Sequence, residues 1–288
     1  MNHSLVISGL VLAFVGMATI DSSALDRPPA PSEELNTLLM HTTFRIAGPK
    51  ARMKNSTSFG TVFIMAVPIK DKEKLGAIVL VTAAHVLDDI DGDTASILLR
   101  KPRSDGNYTP FPFDLRIRDN GRPLYVKHSS ADVAAMYADF PDEVPMTGLV
   151  PEMLADDAKL KAIEFHPGDE VFVLGFPLAA TGPGAFPILR TGHVASYPIT
   201  PMKTVKDIYV DLFIYGGNSG GPVYYSSPNR IFDKQIHLGL WQGILGLVTQ
   251  ETRSVLPEFA DKPINFGIIV PAVFIKETIE LLPPPPNR

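Results

Sequence analysis

The stretch Gly216-Gly217-Asn218-Ser219-Gly220-Gly221-Pro222-Val223 decides how this chain is read. Glycines crowd a single serine. Such a serine is either the tip of a flexible loop or a nucleophile whose hydroxyl stands clear of its backbone. In the second case neighbouring N–H groups converge on a developing oxyanion. Glycine suits that role because a side chain would block the approach of a substrate carbonyl. Pro222 then stops any helix, and Val223-Tyr224-Tyr225 reads as strand.

Gly217-Asn218-Ser219-Gly220-Gly221 also satisfies the G-x-S-x-G pattern of a nucleophile elbow. An elbow needs a helix after the serine, then an acid and a histidine in that order. A strand follows here, and the single histidine downstream is His237, four residues after Asp233. The base is therefore sought upstream. Val79-Leu80-Val81-Thr82-Ala83-Ala84-His85 is an apolar strand that ends in small residues and delivers an imidazole at its rim. The third member is Asp132, which opens the apolar run Val133-Ala134-Ala135-Met136; Asp114 is the fallback, on a strand that Arg116 and Arg118 make wetter. The order is His85, Asp132, Ser219.

Thr82-Ala83-Ala84-His85, Asp132-Val133-Ala134 and Gly217-Asn218-Ser219-Gly220-Gly221-Pro222 together resemble the three catalytic blocks of the trypsin/chymotrypsin-fold serine proteases, most closely their bacterial HtrA-type branch. The resemblance runs from about Phe59 to about Lys276, with echoes at Phe59-Gly60-Thr61-Val62, Gly175-Phe176-Pro177 and Leu245-Gly246-Leu247-Val248-Thr249. It implies an acyl-enzyme mechanism with His85, Asp132 and Ser219 as triad, and Gly217 and Ser219 as oxyanion N–H donors. It also places Phe213 at the base of the first specificity pocket and Thr249 on the strand lining a bound peptide. Phe213 carries no charge, so the pocket reads as apolar and indifferent to Arg or Lys. Asn218 stands where activated members carry an aspartate, so no activating ion pair is expected. About a dozen residues follow Lys276, too few for the PDZ domain usual in that branch.

The rest of the chain is compatible with this. Over 288 residues, 45% hydrophobic content supplies a core, and 22 glycines and 27 prolines between short apolar runs suit an all-β chain. A net charge of −5 without basic runs argues against nucleic acid as a partner. The absence of cysteine excludes disulfides, thiolate-bound zinc and a cysteine nucleophile. Leu5 to Ile20 is apolar but short of the roughly 20 residues of a membrane span. Ser22 and Ala24 precede a cleavage point before Leu25, so residues 1–24 read as a secretory signal. The lack of Lys or Arg before the apolar run keeps an uncleaved anchor as the alternative.

The expected organisation is a structural arm at 25–40, a protease domain at 41–282, and a proline-rich tail at 283–288. Within the domain, two six-stranded antiparallel β-barrels of chymotrypsin-like form span about 41–140 and about 160–270, followed by a helix at 271–282. A short helix is expected at Ser32–Met40 with Ser32 as its cap, a helical turn near Glu152–Ala158, and a strand at Ala162–Phe165. The function read from the sequence is an exported, periplasmic or secreted serine endopeptidase acting on protein or peptide. No metal or organic cofactor and no stable membrane span are implied, and the oligomeric state stays open. The alternatives are a peptide-binding or chaperone-like use of the fold, and an esterase.

Overall fold

A computed structural model describes residues 34–69, 76–253 and 263–285; the expected leader, residues 25–33 of the arm and the last residues of the tail lie outside these. Two antiparallel sheets dominate. The first contains β1 (Thr43–Pro49), β2 (Thr57–Pro68), β3 (Gly76–Thr82), β4 (Thr94–Pro102) and β5 (Tyr108–Arg116). A small hairpin of β6 (Arg118–Asp119) and β7 (Arg122–Pro123) intervenes before β8 (Val126–Lys127) and β9 (Ala134–Tyr137). The order is β5-β4-β1-β2-β3-β9-β8, seven strands where six are expected, because the bend at Ser129-Ser130-Ala131 folds Val126 and Lys127 back onto Ala135 and Ala134. The Leu124 amide donates to the Ile117 carbonyl at 3.0 Å, drawing the two edges towards each other.

The second sheet contains β10 (Glu170–Gly175), β11 (Ile188–His193), β12 (Ile208–Val210), β13 (Pro222–Phe232), β14 (Gln235–Arg253) and β15 (Pro263–Pro271), in the order β11-β10-β13-β14-β15-β12. Its edges meet: Val194 bridges Val210, and the Ala195 amide donates to the Tyr209 carbonyl at 2.7 Å. The sheet therefore closes on itself, and the outer part of the β13–β14 hairpin projects from it as a two-stranded ribbon. The fold is all-β and chymotrypsin-like.

Strand periodicity divides the core in two. On β10 and β13, Val171, Val173, Val223 and Tyr225 point into the second sheet, while Leu174 and Tyr224 face the first. The same strands are thus buried on both sides, which period-2 alternation of apolar residues permits only when both faces meet protein.

Helices close the ends. α1 (Leu35–Thr42) buries Leu35, Leu38 and Leu39 at helical spacing. Eight residues cannot hold a helix in water, so burying these leucines, each contributing about 1.5–3 kcal/mol, stabilises it. Its cap position is Glu34, not Ser32. α2 (Ala84–Asp88) follows β3, α3 (Asp157–Ala162) lies between the sheets in sequence, α4 (Met202–Val205) precedes β12, and α5 (Ala272–Glu280) ends the fold. Pro271 caps α5 rather than occupying its first turn. The strand expected at Ala162–Phe165 is absent from the structure. Asp156 caps the Lys159 amide at 2.7 Å, so the chain there is helical, and Leu160 and Ile163 reach the second core from α3 and the turn after it.

Candidate active site

β3 and β9 set the histidine and the acid side by side. Their register pairs Thr82 with Ala134. Extending that register antiparallel puts Asp132 opposite Ala84, next to His85 at the start of α2. Contact is made: His85 Nδ1 lies 2.6 Å from Asp132 Oδ2, and the His85 amide donates to Asp132 Oδ1 at 3.0 Å. Two bonds to one carboxylate fix the ring's orientation and leave Nε2 facing outward. Burial opposes the imidazolium, yet the hydrogen bond and charge of Asp132, helped by Asp89 and Asp88, carry the His85 pKa above its ordinary 6.5. Burial likewise raises the Asp132 carboxyl, but the bonds to His85 and to Thr249 outweigh it and hold the pKa below 3.8. Asp114, the fallback acid, sits exposed on the edge strand β5 opposite Ser96.

Ser219 comes from the second sheet, in the loop that enters β13. Two threonines dock this loop on the first sheet. Thr61 Oγ1 donates to the Gly217 carbonyl at 2.7 Å, the Thr61 amide donates to the Ser219 carbonyl at 2.8 Å, and Thr82 Oγ1 donates to the Thr61 carbonyl at 2.7 Å. Both threonines are fully buried. Such polar groups are tolerated inside only when paired, and here the pairing joins the two walls of the cleft. Sequence reasoning passed over both; the signal was a threonine inside each of two apolar strands.

Gly217 and Gly220 are required by geometry. Their φ angles are +97° and +83°, and a Cβ would lie 2.2 Å from the Phe176 carbonyl oxygen at Gly217 and 2.1 Å from Thr82 Oγ1 at Gly220. The amides of Asn218, Gly220 and Gly221 are committed to the carbonyls of Tyr215, Val248 and Asn218. Among the described residues, those of Gly217 and Ser219 have no backbone acceptor. The Gly216 carbonyl accepts the Leu178 amide at 2.7 Å, and in a trans peptide this turns the Gly217 N–H the opposite way. Asn218 is buried within the loop.

Ser219, His85, Gly216 and Gly217 share a cleft of about 210 Å³ with Lys50, Phe59 and Asp89. The Ser219 hydroxyl donates to the Thr249 carbonyl at 3.2 Å. Thr249 itself is buried, and its Oγ1 donates to Asp132 Oδ2 at 2.5 Å. The residue expected to line a peptide thus also touches both the acid and the serine, a role its position in the sequence does not reveal. Phe213 stacks on Tyr215 with ring centroids 4.7 Å apart, and its carbonyl accepts from the Arg190 guanidinium. Among the described residues no group of three or more His, Asp or Glu side chains could hold a metal ion, and no helix is long and apolar enough to cross a membrane.

Comparison with known proteins bears on this arrangement. No curated protein matches the chain. Solved structures similar to it include a thermostable serine protease, AL20, from an extremophilic microorganism, at 10% identity and a TM-score of 0.46, covering 84% of this chain and 96% of that one. The protease Anisep from Arthrobacter nicotinovorans is another, at 13% identity and a TM-score of 0.47, covering 83% and 94%. Residues 67–230, more than half of the chain, match the model of the trypsin-like peptidase domain. The chain belongs to the trypsin-like peptidase family, and is a serine endopeptidase.

Proposed function

We propose that the chain is an exported endopeptidase that cuts peptide bonds through an acyl-enzyme on Ser219. His85 Nε2 takes the proton of Ser219 Oγ as that oxygen bonds the scissile carbonyl carbon. The carbonyl electron pair moves to oxygen, where the N–H groups of Gly217 and Ser219 stabilise it. Collapse expels the amine, which leaves with the proton from His85, and water repeats the sequence to free the acid. Asp132 holds the ring in the tautomer with hydrogen on Nδ1 and stabilises the imidazolium. The observation that carries this reading is the His85–Asp132 bond of 2.6 Å in the cleft that holds Ser219.

One observation favours a second reading, in which the site rests until substrate arrives: the Ser219 hydroxyl is engaged by the Thr249 carbonyl. A rotation about the Ser219 Cα–Cβ bond redirects it towards His85. The two readings separate by experiment. Wild type should label with a fluorophosphonate probe and Ser219→Ala should not. Labelling that needs added peptide supports the resting form, and no labelling under any condition leaves a peptide-binding use of the fold.

Cleavage is expected after small or aliphatic residues. Phe213 offers no anion, and Arg190 beside its carbonyl adds positive charge that repels Lys or Arg. Sequencing the peptides released from a denatured protein substrate decides this, and a dominant basic residue before the cut refutes it. Export predicts that the protein recovered from outside the cytoplasm begins at Leu25, which amino-terminal sequencing reads directly.

A further inference from the structure

Arg45 on β1 and Thr61 on β2 stand directly opposite each other, so their side chains leave the first sheet on the same face. Both reach across to loop carbonyls of the second sheet. Thr61 Oγ1 donates to the Gly217 carbonyl at 2.7 Å, and Arg45 Nη1 donates to the Ala179 carbonyl at 3.1 Å. The two gripped segments are themselves joined, because the Leu178 amide donates to the Gly216 carbonyl at 2.7 Å. A closed circuit results. It runs from β1 to the turn at Leu178-Ala179, on to Gly216-Gly217, and back through Thr61 to β2.

The peptide between Gly216 and Gly217 is the part of this circuit that bears on chemistry. Thr61 fixes the peptide after Gly217, not the one before it. With glycine on both sides, that earlier peptide meets no side-chain barrier to turning over. A Cβ placed on Gly216 would find nothing within 4 Å, so the space there is open. Turned over, the peptide would aim the Gly216 carbonyl oxygen at the oxyanion in place of the Gly217 N–H. Among the described residues, the Leu178 amide is the backbone donor that holds this carbonyl away.

The turn that supplies the Leu178 amide is held from outside. Leu178 and Ala179 have φ angles of 52° and 62°, two consecutive side-chain-bearing residues in the left-handed region. Such backbone persists only where its surroundings impose it. Packing of Leu178 does not, since its side chain is 71% exposed. The Ala179 amide closes the turn on the Phe176 carbonyl at 2.9 Å, and Arg45 fastens it to the first sheet. The ends of the loop are secured independently: Phe176 is fully buried, and Arg100 Nη1 donates to the Ala185 carbonyl at 3.2 Å. Loss of Arg45 therefore frees the turn without detaching the loop.

We infer that Arg45 is a positioning residue for the oxyanion hole: through Ala179 and Leu178 it keeps the Gly216–Gly217 peptide turned with its N–H towards the reacting carbonyl. The inference rests on the acyl-enzyme reading of Ser219. Removing an oxyanion donor outright lowers kcat by about 100- to 1,000-fold. Removing the pin lets the peptide turn over for part of the time, so the loss should be smaller.

Arg45→Met keeps the aliphatic stem and removes the donor. With a peptide that wild type cuts, its kcat should be about tenfold lower and KM little changed. The rate of fluorophosphonate labelling should fall by the same factor, because the phosphoryl oxygen also needs the hole. Arg45→Lys restores a donor and should lie within about threefold of wild type. Ground-state binding is read separately: Ser219→Ala should bind the same peptide equally well with and without Arg45→Met, and melting temperatures check that each variant is folded. If wild type labels and Arg45→Met labels and turns over as fast, the inference is overturned while the acyl-enzyme reading stands. A loss that Arg45→Lys does not relieve, with peptide binding weakened in proportion, also overturns it, in favour of general support of the cleft. Wild type that never labels removes the acyl-enzyme reading and this inference with it.

Discussion

His85 and Asp132 reach the cleft from the first sheet and are held by side-chain bonds, to each other and to Thr249. Ser219 reaches it from the second sheet in a loop held almost wholly by backbone bonds and by glycines that no other residue can replace. The first wall can be changed chemically without changing its shape. The second wall cannot, because its chemistry is its shape. Substitutions on the two sides should therefore fail in different ways: loss of turnover with an intact fold on one, and loss of both together on the other.

The largest effect tests the first half of that contrast. His85→Ala should lower kcat by about 10⁴-fold or more with the melting temperature nearly unchanged; Ser219→Ala should do the same, because it removes only a hydroxyl and leaves the backbone bonds and glycines that shape the second wall in place. Asp132→Asn should cost about 10⁴-fold through the wrong imidazole tautomer. The pH profile distinguishes orientation from collapse. The raised pKa of His85 means that kcat/KM in wild type should fall as pH drops through a value above 6.5. In Asp132→Asn the charge is gone while burial stays, so the acid limb of the residual activity should move to lower pH. A limb that does not move shows that Asp132 does not govern His85.

Gly220→Ala tests the other wall. Its Cβ would stand 2.2 Å from the Thr61 carbonyl oxygen as well as 2.1 Å from Thr82 Oγ1, at a φ of +83°. Gly92 has nearly the same φ, +82°, but nothing within 4 Å. Gly92→Ala should therefore cost only the left-handed strain, about 1–2 kcal/mol. Gly220→Ala should cost about 3 kcal/mol or more and lower kcat about 100-fold as the loop shifts. Denaturant midpoints with kinetics on the same preparations measure both. Equal losses at the two glycines would show that the loop yields freely, and the contrast between the walls would fail.

What the sequence made legible follows the same division. His85, Asp132 and Ser219 each sit in a short local pattern, an apolar strand ending in small residues or a glycine cluster, and such patterns need no knowledge of distant contacts. The Thr61–Thr82 link and the Thr249 hydroxyl on Asp132 join residues from separate strands, and nothing within a few positions of each threonine announces its partner. β5 was hidden for another reason. Pro110 and Pro112 argue against a strand, yet β5 is the edge of its sheet, where a missing N–H is tolerated. β14 runs on as a single 19-residue strand because Gln242 and Gly243, residues that could begin a turn, continue the pairing to Ser226 and Tyr225.

The smallest predicted effect lies where the two walls touch, at Thr249. Its hydroxyl donates to Asp132 and its carbonyl accepts from Ser219. Thr249→Val keeps the shape and the carbonyl but removes the donor. A hydrogen bond to a charged group contributes about 1.5–3 kcal/mol, and part of that should appear as a kcat about tenfold lower, with KM little changed and Thr249→Ser close to wild type. Stability should carry the matching signature. Despite burial, the bonds from His85 and Thr249 hold the Asp132 pKa below 3.8. A carboxylate with a depressed pKa stabilises the fold above its unfolded value, and that contribution is lost as pH falls through the folded value. Without the Thr249 donor the depression is smaller. Wild type should therefore be the more stable of the two at neutral pH, and the gap should close as pH falls below 3.8 towards the folded pKa of Asp132. Urea titrations of both proteins across that range measure it. A gap that is constant with pH would mean that the valine disturbs packing, and that Thr249 does not support the acid through its hydroxyl.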